Sequence, residues 1–195
     1  MQRRSFLLKT SAALAAAGVA LAGCTTTTDQ PASASTNESR RRSINAAVDG
    51  TMSRLFETVP GSRELVGKSR GVLVFPQVIQ AGFVVGGQHG DGALRVGGRT
   101  EGYFSTTSAS VGAQIGVQSK SIIYLFMTQD ALERFRKSDG WSAGGDASVA
   151  LVKAGANGAI DTTTATSAVE VFVLTNTGLM GDLSLSGTKI TRLPI

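Results

Sequence analysis

The sequence predicts an α+β fold: a mainly antiparallel, glycine-rich β-sheet, sandwich- or barrel-like, with an N-terminal amphipathic helix and one short helix in the middle. Three observations predict it. Between Gly71 and Val96, β-favouring runs at Val72 to Phe75 and Phe83 to Val85 are broken by Pro76 and by glycines at 82, 86, 87, 90 and 92. So much glycine rules out a long helix, because each interior Gly costs about 1 kcal/mol against Ala, and it points to close approach of one backbone to another or to a ligand. From Ser108 to Gln118 the residues alternate with period two, which is the pattern of a strand. No helix-length segment separates the later strands, so parallel βαβ units are not expected.

Residues 1–23 are set apart as a signal peptide. Arg3, Arg4 and Lys9 form a basic region, and Ala12 to Ala22 a short Ala-rich apolar one. Arg3-Arg4-Ser5-Phe6-Leu7 resembles the twin-arginine export pattern. Leu21-Ala22-Gly23-Cys24 resembles a bacterial lipobox, in which the Cys thiol takes a diacylglycerol. Cys24 is the only cysteine, so neither a disulfide framework nor a multi-cysteine metal site forms within one chain. Three acyl chains, palmitate among them, would bury roughly forty methylenes at about 0.8 kcal/mol each, enough for stable anchoring. Thr25 rather than Asp after the cysteine favours the outer membrane of a bacterial envelope, with the periplasmic or surface face left open. Removing Arg3, Arg4 and Lys9 from the 19 basic residues leaves 16 against 14 acidic, a net charge of +2 that gives no support to nucleic-acid binding.

Residues 24–39 are rich in Thr, Ser, Ala and Asn and read as a lipidated flexible tether, and 40–195 as the folded domain. The adjacent Arg40, Arg41 and Arg42 can meet anionic headgroups, at about 1 kcal/mol per charge near the surface. Ile44, Val48, Met52, Leu55 and Val59 recur every three or four residues, predicting a helix from about Arg41 to Thr58 that Pro60-Gly61 stops. A short helical turn over Ser62 to Lys68 follows. Gly97-Gly98 signals a hairpin. Within Ser108 to Gln118, read as one strand, Ala109, Val111, Ala113, Ile115 and Val117 are expected on the core face and the Ser, Gly and Gln residues on the other. Ile122 to Met127 reads as a strand covered on both faces, and Thr128 as the N-cap of a helix over Gln129 to Lys137. Further strands are expected at Ala147 to Val152, Ala159 to Ala165, Ala168 to Leu174 and Leu183 to Leu193.

The chemistry-bearing residues do not assemble into an enzyme. His89, the only histidine, has no orienting carboxylate beyond the adjacent Asp91 and reads as a polar turn or strand-end residue. Gly140-Trp141-Ser142-Ala143-Gly144 matches a nucleophile elbow by letter, but it follows an expected helix, leads into an expected strand, and has no histidine after Ser142 to complete a triad. No P-loop is present, and the carboxylates are scattered, so no catalytic residue, metal site or cofactor is expected.

The motifs together resemble a known family. Gly71-Val72-Leu73-Val74-Phe75-Pro76, Ala81-Gly82-Phe83, Gly86-Gly87-Gln88 with Gly90 and Gly92, the Ser108 to Gln118 alternation, Met127-Thr128, Gly140-Trp141 and Gly178-Leu179 resemble the signature of the SYLF domain. That family includes the yeast actin-patch protein and bacterial lipoproteins. The resemblance implies a lipid-binding module, with membrane phospholipids as the partner. Phosphoinositide binding is known in eukaryotic members, and their actin binding is not expected to carry over to an envelope protein. Because the N-terminal helix carries membrane contact in some relatives, Arg40, Arg41, Arg42, Arg54, Lys68 and Arg70 are the candidate lipid-binding residues. The alternative is a structural lipoprotein that binds another envelope protein through its sheet.

Overall fold

The computed structural model describes residues 34–82, 85–111, 116–153, 160, 167–180 and 187–195. Arg3, Arg4 and Cys24 lie outside them, as does most of the strand expected at Ala159 to Ala165. Residues Ala34–Ile195 form one compact unit. Helix α1 spans Ala34–Thr58 and buries Ile44, Val48, Thr51 and Leu55 along one stripe. Its end agrees with the periodicity, but it starts seven residues before Arg41. Ala34 to Ser39 contains no large apolar side chain, so a search for an apolar stripe cannot see these solvent-exposed turns. The last part of the segment expected as tether is therefore helical. Helix α2, Ser62–Lys68, follows and buries Leu65.

The chain then builds one sheet. Strands β1 (Gly71–Gly82), β2 (Val85–Val96), β3 (Arg99–Val111) and β4 (Gly116–Phe126) precede helix α3 (Gln129–Lys137). The shorter β5 (Trp141–Ser142), β6 (Val149–Leu151), β7 (Val169–Thr175), β8 (Gly178–Leu179) and β9 (Lys189–Arg192) follow. The order is β5-β9-β3-β2-β1-β4-β7-β6, with β8 on β7, and the sheet curls into a half-barrel. Among the described residues β6–β7 is the one parallel strand pair, and the rest are antiparallel. The spatial order β4-β1-β2-β3 is a Greek key, since β4 returns to lie beside β1.

That topology corrects the reading of Ser108 to Gln118. The stretch is two strands, the end of β3 and the start of β4, lying on opposite sides of the β1–β2 hairpin. Ala109 is exposed and Ser108 half-buried, so the face assignment is reversed there as well. At Gly97-Gly98 the expected hairpin is present: both residues have positive φ (57° and 79°), and Val96 pairs with Arg99 across a two-residue loop.

Strand β1 contains a bulge around Pro76. Between the pairs Val74–Ala93 and Ile79–His89 it uses one more residue than β2, and between Phe75–Ile122 and Val78–Lys120 one more than β4. Pro76 has no N–H to give the ladder, and its carbonyl accepts a hydrogen bond from Ser121 Oγ at 2.7 Å. The bulged backbone folds against β2. A side chain at Gly92 would stand 2.1 Å from the Val74 carbonyl oxygen, and one at Gly90 2.6 Å from that of Gln77. These two glycines provide the close backbone approach their spacing predicts.

Both faces of the sheet are covered. Leu73, Phe75, Ile122, Tyr124, Phe126 and Val171 meet α3 residues Leu132 and Phe135 in one core. Val74, Ile123, Leu125, Phe172 and Leu174 meet Val48 and Leu55 of α1 and Leu65 of α2 in the other. The unbroken apolar run of β4 follows from this two-sided burial. Helix α3 has the expected bounds and cap, with Thr128 Oγ1 accepting from the Ala131 N–H at 3.2 Å.

One acid is buried within this framework. Glu170 on β7 is 4% exposed and accepts a hydrogen bond from the Ser167 N–H at 3.1 Å. Burial raises its pKa, and the Ser167 bond offsets only part of the rise. The folded state thus binds this proton more tightly than the unfolded chain, so the charge destabilises the fold as pH rises from the ordinary value of 4.5 through the raised one. Glu170→Gln is expected to be the more stable protein at pH 7, with the difference vanishing below the unperturbed pKa; urea midpoints across that range check it.

Candidate lipid-binding site

Two clefts flank α1 on its side of the sheet. The larger, about 370 Å³, lies between α1, α2 and the start of β1. Its apolar lining comes from Met52 and Phe56 of α1, Val66 of α2, and Val72 and Val74 of β1. Helical spacing puts Met52 and Phe56 four residues apart on the flank of the buried stripe, where they are half-covered. Arg70 and Arg95 complete the lining. Arg95 pairs with Asp49, and its second terminal nitrogen donates to the Asn45 carbonyl at 3.4 Å. The Arg95 Nε is buried and has no hydrogen-bond partner, an unfilled donor at the edge of an apolar cleft. Arg63 stacks over the Phe56 ring at 4.2 Å, adding a third guanidinium to this end. The cleft thus combines an apolar wall with guanidinium donors at its edge.

The second cleft, about 330 Å³, lies where α1 crosses the β1 bulge. Arg54, Thr51, Gln77, Ser119 and Ser121 are among its lining residues, and none of the residues lining it is acidic. Arg54 donates to the Thr175 carbonyl at 3.4 Å.

The six candidate cations do not converge. Arg40 is held at 2.6 Å by Asp91 on β2. Burial alone would raise the Asp91 carboxyl, but the Ser105 hydrogen bond and the Arg40 and His89 charges together hold it below the usual range. Arg42 lies 3.9 Å from Glu38, and Lys68 2.7 Å from Glu64, both exposed pairs one helical turn apart. Arg41 is exposed, with no ion pair among the described residues. Of the six, Arg54 and Arg70 line these two clefts, one each.

Sequence reasoning missed Arg95 and Lys120. Arg95 sits inside a strand where periodicity gives it no distinction. Lys120 is the lone charged residue between Glu101 and Asp130, a signal that was available. It is 9% exposed, donates to Gln80 Oε1 at 3.3 Å, and burial lowers its pKa.

Trp141-Ser142 is a two-residue strand between α3 and a turn, so the strand-then-helix geometry of a nucleophile elbow is not formed there. The Ser142 N–H donates to Asp146 Oδ2 at 2.6 Å. His89 lies on β2 with its side chain largely exposed, 3.5 Å from Asp91. Among the described residues no three metal-ligating side chains cluster, and no helix is long and apolar enough to cross a membrane.

A comparison with curated proteins gave no match. Residues 107–193 match the family model described as Ysc84: Las17-binding protein actin regulator. The match agrees with the resemblance drawn from the glycine-rich signature, most of which lies ahead of the matched segment. From the end of β3 through β9, the chain is similar to the SYLF family, whose modules are of the lipid-binding or interaction class.

Proposed function

We propose that this is a lipid-anchored envelope protein whose SYLF domain binds anionic phospholipids non-catalytically. The observation that carries the reading is the α1–α2–β1 cleft, where five apolar side chains stand beside Arg70 and the unfilled Arg95 Nε. An acyl chain and an anionic head match that lining, and neither requires a catalytic group. Anchoring at Cys24 rests on the lipobox resemblance. Nine residues lie between Cys24 and the start of α1, which at full extension puts Ala34 at most about 35 Å along the chain from Cys24. A domain tethered so close meets the surface at high effective concentration, so modest headgroup affinity suffices.

Two experiments test the two parts. Cys24→Ala is expected to move the protein from the membrane to the soluble fraction. In the unacylated unit Ala34–Ile195, Arg70→Gln should weaken binding to anionic vesicles on the order of tenfold, the worth of one charge-assisted hydrogen bond. Unchanged binding would remove the cleft from the account. The second reading, a protein partner in the envelope, is favoured by the family match, since that family is described as a Las17-binding actin regulator. Crosslinking in cells that recovers one dominant protein would favour it over the lipid reading.

A further inference from the structure

The cleft between α1, α2 and β1 restricts its ligand by its size and by the walls that cannot move. Val74 at its base is fully buried, while Met52, Phe56, Val66 and Val72 around it are each half-covered. A methylene takes roughly the volume of a water molecule in the liquid, about 30 Å³. A space of about 370 Å³ therefore holds one chain of about a dozen carbons. Two such chains side by side need about twice that space.

The wall at the charged end is fixed. Arg95 on β2 is bound to α1 through Asp49 and through the Asn45 carbonyl. Asn45 in turn donates from Nδ2 to the Tyr103 hydroxyl at 2.8 Å and accepts at Oδ1 from Thr100 Oγ1 at 2.9 Å, both on β3. Val48 and Leu55, fully buried, seal the same helix onto the sheet. Parting α1 from β2 to admit a second chain would break this network and open the core beneath it. The head end is set by the same arginine. Its Nη1 and Nη2 face Asp49 and Asn45, and its buried Nε is left without a partner. Asp49 balances the Arg95 charge, which leaves Arg70 in the lining and Arg63 over the Phe56 ring to match an anion. No residue lining the cleft is acidic.

We infer that the cleft is a site for a single-chain anionic amphiphile, a fatty-acid carboxylate or a lysophospholipid, with its one acyl chain against Met52, Phe56, Val66 and Val72 and its head beside Arg70 and the Arg95 Nε. The inference deepens the lipid reading and rests on it. A phospholipid with two chains can lend the cleft one at most, whereas a lipid with one chain is matched whole.

Both cores lie within the unit Ala34–Ile195, which is titrated by calorimetry with lipids kept below their micelle concentrations. For saturated carboxylates, affinity should rise by up to about fourfold per methylene. The rise should stop at about twelve carbons, beyond which the chain stays in water. Lauroyl-lysophosphatidylglycerol should bind at least about tenfold tighter than dihexanoyl-phosphatidylglycerol, which carries the same head and as many acyl carbons on two chains. The tighter of laurate and lauroyl-lysophosphatidylglycerol tells whether the source is the free acid or a membrane lipid. In the nuclear magnetic resonance spectrum the Met52 methyl should shift on binding, while that of Met180, packed against the other core, stays in place. A Cβ at Gly67, in the cleft lining, meets no atom within 4 Å. Gly67→Leu should therefore keep the wild-type melting temperature or raise it and weaken laurate binding on the order of tenfold. If the two phosphatidylglycerols bind equally, or affinity climbs unbroken well past twelve carbons, the cleft does not select one chain and the inference falls. If laurate binds with Met52 unmoved and equally well to Gly67→Leu, the site lies elsewhere and the inference falls. If no single-chain lipid binds while the domain floats with anionic vesicles, the inference falls and the lipid reading stands. If the domain binds neither, both fall.

Discussion

Gly92→Ala is expected to cost about 3 kcal/mol or more, and Gly92→Val to leave the domain unfolded at 37 °C. The added Cβ would stand 2.1 Å from the Val74 carbonyl oxygen and 2.7 Å from the Phe75 ring, both fixed by the β1 bulge. Overpacking a core typically costs about 1–3 kcal/mol where side chains can yield. Here the obstacle is backbone, and relieving it means separating β1 from β2 in the middle of the sheet. Against a total stability of about 5–15 kcal/mol, that loss is large. Gly87→Ala is the control in the same strand, because its Cβ would meet only the Ser108 carbonyl, at 3.9 Å. Urea denaturation of the three variants should give a wild-type-like midpoint for Gly87→Ala and a strongly lowered one for Gly92→Ala. Equal midpoints would show that the bulge is not locked against β2.

Trp141→Ala is expected to cost about 3–5 kcal/mol. Trp141 is 1% exposed and joins three rings in edge-on contact: Tyr124 at 5.7 Å, Phe135 at 5.8 Å and Phe126 at 6.3 Å. Those rings belong to β4 and α3, so the indole ties the helix, the sheet and the β5–β9 edge into one core. Removing it leaves a cavity that the short β5 cannot collapse to fill. Trp141→Phe should retain much of the stability by keeping an aromatic edge contact. Trp141 is the only tryptophan, so the transitions have to be followed by far-ultraviolet circular dichroism and not by tryptophan emission.

Local signals were legible and long-range ones were not. Helix α3 has the bounds its cap and periodicity predict, because Thr128, Ala131, Leu132 and Phe135 act within one stretch of chain. The Gly97-Gly98 turn was legible for the same reason. Two errors share a cause. The alternation from Ser108 to Gln118 continues through the change from β3 to β4, so period alone could not show where one strand ended. The same period could not say which face would be covered, because inside and outside are set by how distant strands curl around α3 and α1. The early start of α1 was hidden because its first turns bury nothing large. The clefts were illegible for a related reason: Met52 and Phe56 meet Val72 and Arg95 only after the sheet has formed. Of the six cations the sequence nominated, Arg40, Arg42 and Lys68 turned out to have acidic neighbours, a fact that lies in the fold.

The most direct test of the account is flotation of the unacylated unit Ala34–Ile195 with two vesicle populations, phosphatidylcholine alone and phosphatidylcholine with phosphatidylglycerol. The account predicts that the domain rises with the anionic vesicles, stays behind with the neutral ones, and is progressively released as salt shortens the Debye length below about 10 Å. Equal binding to both populations, or no binding to either, would contradict it.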